Sequence, residues 1–143
     1  MRLAASLRYA LHAAGGVLLL SGALWLALRY GTPLEPRERE LLAASMQVHG
    51  AATMAFLVLT GCAVALHAPV AWRERRNLAS GTALSCALLL LALTGHLLYY
   101  AGDDTVRAAT SVVHWIAGIA ATGILLWHVA EARRTAAGRS PSD

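Results

Sequence analysis

The sequence predicts an all-α fold: an integral membrane bundle of four helices running up, down, up and down. The distribution of charge carries that expectation. The chain has 143 residues, with 12 arginines, no lysine and eight acidic residues. Between Arg8 and Arg29 lie 20 uncharged residues, between Glu40 and Arg73 32, between Arg76 and Asp103 26, and between Arg107 and Glu131 23. About 20 residues at 1.5 Å rise cross a ~30 Å hydrocarbon core, so each window suffices for one membrane helix. Four such windows exclude a soluble globular domain. They also exclude a β-barrel, whose strands alternate polar and apolar residues over about 10 positions.

The first span is placed at 7–28. Arg2 and Arg8 ahead of an apolar run are also how a secretory signal begins. This run is 20 residues long, however, whereas a signal h-region has about 7–15. No convincing small-x-small cleavage site precedes the next polar stretch, so the segment is read as a span. Thr32-Pro33-Leu34-Glu35-Pro36 ends it, because two prolines interrupt a helix. Arg37-Glu38-Arg39-Glu40 is expected as a short surface turn leading into the second span, 42–68. The second loop runs from Ala68-Pro69 to Asn77, and the third span covers 78–101. A very short loop around Gly102-Asp103-Asp104-Thr105 follows, in which Asp104 or Thr105 caps the fourth span, 107–130. Residues 1–134 are thus one four-span domain, and the small, polar, basic stretch 135–143 is a disordered cytoplasmic tail.

Orientation follows from counting arginines. The N-terminus, second loop and C-terminal tail carry eight; the first and third loops carry four. The positive-inside rule places both termini in the cytoplasm, in a multi-pass protein of a bacterial-type inner membrane. The same rule accounts for the net charge of +4 without invoking nucleic acid. Cys62 and Cys86 fall near the middles of spans two and three and are read as small apolar packing residues. No Cys-x-x-Cys-His occurs, which excludes covalent attachment of a c-type haem.

Six histidines lie in or at the ends of the spans: His12, His49, His67, His96, His114 and His128. Imidazoles are expensive in hydrocarbon and usually functional there. Their distances from flanking charges sort them into two layers: His12, His67 and His128 near the cytoplasmic ends, and His49, His96 and His114 near the outer ends. His114 and His128 are 14 residues apart, about 21 Å along the axis and only about 40° around it. One helix thus offers two ligands on one face at two depths, a geometry that can hold two haems stacked across a bilayer. Two neutral imidazoles suit haem iron and leave no open position for substrate. Gly16, Gly50 and Gly118, close to these histidines, would admit a flat macrocycle or would simply favour close helix packing.

The stretch Ser111-Val112-Val113-His114-Trp115-Ile116-Ala117-Gly118 through Trp127-His128 resembles the last ligand helix of four-helix bacterial di-haem cytochromes b. These are the cytochrome b561-like proteins, related to the cytochrome b subunits of formate dehydrogenases and nickel–iron hydrogenases. The resemblance covers essentially residues 7–130. It implies two non-covalent haem b groups ligated by His12, His49, His114 and His128, with His49 and His114 pairing outside and His12 and His128 inside. It also implies electron transfer across the membrane between a quinone or a partner redox protein and the other face, with quinone oxidoreductase activity left open. Larger membrane complexes and membrane lipid are the implied surroundings.

His67 and His96 exceed the four. Each is a structural hydrogen-bonding residue, a contact for a propionate or quinone, or a replacement ligand, as His96 would be for His49 and His67 for His12. Arg8, one turn from His12, is the candidate propionate partner, with Arg133 and Arg134 as alternatives. Two other readings compete. Histidine layers could bind or transport zinc, although zinc usually takes four ligands and neither cysteine lies one turn from a histidine. Alternatively, the chain is a structural accessory subunit of a larger membrane complex.

Overall fold

The computed structural model describes residues 4–31 and 35–137. The break expected at Thr32-Pro33-Leu34, Arg2 and the tail residues 138–143 lie outside the described residues. The described residues form four α-helices: α1 (Ala5–Tyr30), α2 (Pro36–Arg73), α3 (Leu78–Tyr100) and α4 (Asp104–Ala137). All four are long and apolar enough to cross a membrane, so the chain is an all-α, multi-pass membrane protein. It divides after Arg73 into two compact units, each a helical hairpin.

Helix boundaries differ from the sequence reading at several points, each for a local reason. Helix α2 begins at Pro36, so Arg37-Glu38-Arg39-Glu40 is helical and not a surface turn. Proline at the first helical position loses no hydrogen bond. The Glu35 carbonyl accepts the amides of Glu38 and Arg39, while the Glu38 carboxylate reaches back to the Glu35 amide at 2.9 Å. At its other end α2 continues through Pro69 to Arg73. A proline there removes a single ladder bond, which membrane helices tolerate.

Asp103, and not Asp104 or Thr105, caps α4, its carboxylate accepting the Val106 amide at 2.8 Å. The Arg107 guanidinium donates to the Ala101 carbonyl at 2.6 Å, joining the end of α3 to the start of α4. Helix α4 also runs past the expected tail boundary at 135. Thr135 Oγ1 donates to the Glu131 carbonyl at 2.8 Å and lies 3.2 Å from the Asn77 side-chain oxygen. At the end of α1 the chain leaves the helix at Gly31, where a Cβ would lie 2.7 Å from the Ala27 carbonyl oxygen.

Burial is the reverse of that in a soluble domain. Among the described residues the buried positions are small: Ala117, Ala121, Ser21, Ser45, Ser80, Thr94 and Thr110. Large apolar side chains point outward, Leu20, Met54, Val58, Leu93 and Leu126 among them. Against lipid this arrangement is the stable one. Acyl chains solvate leucine as well as a protein core does, so helices associate through small residues that allow close approach. Exposed aromatics sit near helix ends, with Tyr9 and Trp72 at one end of the first hairpin, Tyr30 at the other, and Tyr99 and Tyr100 at the turn of the second. Amphipathic rings favour the headgroup level.

Candidate functional site: three histidines seated on hydroxyl–glycine steps

Within the second hairpin, α4 presents His114 and His128 to α3. His114 Nδ1 lies 2.8 Å from Thr94 Oγ1, and His128 Nδ1 lies 3.0 Å from Ser80 Oγ. In each case the next residue of α3 is a glycine lying against the ring. A Cβ on Gly95 would sit 3.4 Å from His114 Cε1, and one on Gly81 3.6 Å from His128 Cε1. The first hairpin repeats the device once. His49 Nδ1 on α2 lies 3.0 Å from Ser21 Oγ on α1, and a Cβ on Gly22 would be 3.4 Å from His49 Cε1. Each seat is therefore a Ser/Thr-Gly step. The hydroxyl anchors Nδ1, and the glycine lies beside Cε1 of the ring.

These hydrogen bonds decide the tautomer. A hydroxyl has one proton. Thr94 Oγ1 lies 2.7 Å from the Leu90 carbonyl and 3.2 Å from that of Leu91; Ser21 Oγ lies 2.7 Å from the Val17 carbonyl and 3.2 Å from that of Leu18. Carbonyls only accept, so each hydroxyl gives its proton to its own helix and must accept from the histidine. Ser80 reaches the Asn77 carbonyl at 3.3 Å and also donates to the Glu131 carboxylate. It too is left to accept. Assigning each hydroxyl proton to these acceptors places the proton of all three imidazoles on Nδ1. Metal-binding histidines are commonly held this way, with the second ring nitrogen donating to a neighbouring acceptor that fixes the ring and raises its basicity.

The 14-residue interval now has a partner. Ser80 and Thr94 are also 14 residues apart, so the two antiparallel helices keep one register through both seats. The sequence reading missed these residues, although a signal was present in the Ser/Thr-Gly dipeptides. The dipeptide alone is insufficient. Thr122-Gly123 carries no histidine, its hydroxyl donating to the Gly118 carbonyl at 3.0 Å. Thr60, before Gly61, has a buried hydroxyl with no hydrogen-bond partner.

His12, His67 and His96 are exposed. His12 lies nine residues from Ser21, about 180° around α1, and so faces the opposite side of that helix. The His96 ring packs on Tyr100 at 4.5 Å between centroids. Arg8 is exposed, its guanidinium lying over the Tyr9 ring at 5.5 Å. Of the glycines singled out beside the candidate ligands, Gly16 and Gly50 border open space, while a Cβ on Gly118 would lie 4.0 Å from the Leu91 side chain. The glycines that lie beside the seated rings, Gly22, Gly81 and Gly95, are instead on the facing helices. Among the described residues no three His, Cys, Asp or Glu side chains converge.

Comparison of the chain with protein-family models, curated proteins and solved structures finds no match.

Proposed function

We propose that this protein is a di-haem b-type cytochrome that carries electrons across a bacterial-type inner membrane, with both termini in the cytoplasm, in the manner of the cytochrome b561-like proteins. One observation carries the reading. His49, His114 and His128, three of the four residues assigned as ligands, are each held through Nδ1 by a hydroxyl of the facing helix that orients the ring. The donor set suits haem iron, which two imidazoles would hold without a cluster of three or four ligands. His12, His49, His114 and His128 would hold the two haems, and haem iron supplies reversible one-electron chemistry when bound. The residues of the chain provide orientation and separation. The His114–His128 interval, about 21 Å along α4, divides the distance across the hydrocarbon. A quinone or a redox protein is the proposed exchange partner.

The test is a visible spectrum of the detergent-purified protein, oxidised and then dithionite-reduced, with a pyridine haemochrome assay. The expected result is a b-type band and two haems per chain, all released by acidic acetone. A chain without haem absorption but with stoichiometric zinc would overturn the reading in favour of the metal-binding one. The exposed histidines give a second expectation. His67→Phe and His96→Phe, made separately, should each leave both low-spin bis-histidine signals intact in low-temperature electron paramagnetic resonance. Conversion of either signal to high spin would transfer the ligand role to the histidine replaced.

A further inference from the structure

The two hydroxyls of α3 receive their histidines alike but pass their own protons to different acceptors. Thr94 gives its proton to neutral backbone carbonyls of α3. Ser80, fully buried, donates to the carboxylate of Glu131, one turn beyond His128 on α4. A carboxylate, a serine and an imidazole are therefore connected in series, with His128 Nδ1–H donating to Ser80 Oγ and Ser80 donating to Glu131. This is not a nucleophilic triad. The serine is inaccessible at 0% exposure, and it accepts from the imidazole instead of yielding its proton to it.

A hydrogen bond to an ionised group is roughly twice as strong as one between neutral groups, and successive bonds polarise one another in a low-dielectric interior. The chain of bonds pulls the Nδ1 proton toward Ser80 and leaves more electron density on Nε2 of His128 than Thr94 leaves on His114. The negative charge of Glu131 acts in the same direction. Resting on the electron-carrier reading above, we propose that Glu131, acting through Ser80, is a positioning and tuning residue for His128. It makes the His128 centre the better stabiliser of oxidised iron, so that it has the lower midpoint potential of the two. At equilibrium a single electron then resides on the His114 centre. The two ends of α4 are thereby made unequal by one carboxylate, although the histidine seats themselves match.

The experiment compares the haem-loaded wild type with Glu131→Gln and Ser80→Ala by redox titration at one fixed pH. Glutamine keeps an acceptor for Ser80 but removes the charge. At a set potential, Glu131→Gln is expected to lower the oxidised-to-reduced ratio of the His128 centre by about tenfold, the order of the difference between a charged and a neutral hydrogen bond. Ser80→Ala should shift the same centre in the same direction, and neither should move the His114 centre. A second readout uses the haem-free protein with ¹⁵N-labelled histidine. Wild-type His128 should be protonated at Nδ1, and Ser80→Ala should release that preference at His128 alone. If the potentials ignore both substitutions, Glu131 only ties α4 to α3 and the inference is overturned while the haem reading stands. Absence of haem from the wild type overturns both.

Discussion

Replacing His114 with alanine is expected to leave a protein that binds one haem in place of two. On the di-haem reading proposed above, the iron at that level would lose one of its two donors, and the truncated side chain opens a cavity where the imidazole lay between α4 and the Thr94-Gly95 step. His128→Ala should remove the other haem, because the two seats lie 14 residues apart and share no residue. The measurement is haem per chain together with the low-spin signals of each variant. Retention of both signals by either variant would show that α4 is not the helix that serves both centres.

Thr94→Val should weaken haem binding at the His114 centre by about 10–100-fold, the usual cost of losing the group that orients a histidine ligand. Valine keeps the β-branched shape, so the loss reports the hydroxyl and not the packing. Without an acceptor the imidazole is no longer held to the Nδ1–H tautomer. Thr94→Ser, which restores the oxygen, should recover most of the affinity. Ser21→Ala is expected to have the same effect at the His49 centre as Thr94→Val at the His114 centre, since Ser21 Oγ holds His49 Nδ1 at 3.0 Å. Titration of haem into the haem-free variants, read at the Soret band, measures these differences. Equal affinity of Thr94→Val and the wild type would sink the argument that the hydroxyl prepares the ligand.

The three seats also show why particular residues were legible in the sequence and others were not. His114 and His128 stand out in one dimension, because a polar ring in a charge-free window is conspicuous and an interval of 14 residues returns to nearly the same helical face. Ser80 and Thr94 have the same interval, yet serine and threonine in membrane helices ordinarily satisfy themselves on a carbonyl of the preceding turn, as Thr53, Ser85 and Thr122 do here. Nothing along the chain distinguishes a hydroxyl that also accepts from a histidine on another helix. His12 illustrates the converse. It satisfied the same rules of depth and polarity as His128, but it lies about 180° around α1 from Ser21, the residue that meets His49 of α2, and so is turned to the other side of the helix.

The sequence by itself determined the class of the protein. Charge is excluded from hydrocarbon so strongly that four uncharged windows suffice to define four membrane helices, and the loops between them are short enough to make neighbours antiparallel. It could not set the helix ends, because Pro36, Pro69 and Asp103 act through single local hydrogen bonds that a hydropathy window averages away. Only the tertiary structure decided which histidines are held and in which tautomer. That choice rests on pairs separated by 20, 28 and 48 positions in the chain: Thr94 with His114, Ser21 with His49 and Ser80 with His128. Each pair forms when two antiparallel helices settle into one register. In each, the glycine after the hydroxyl lies beside the imidazole ring of the opposing helix.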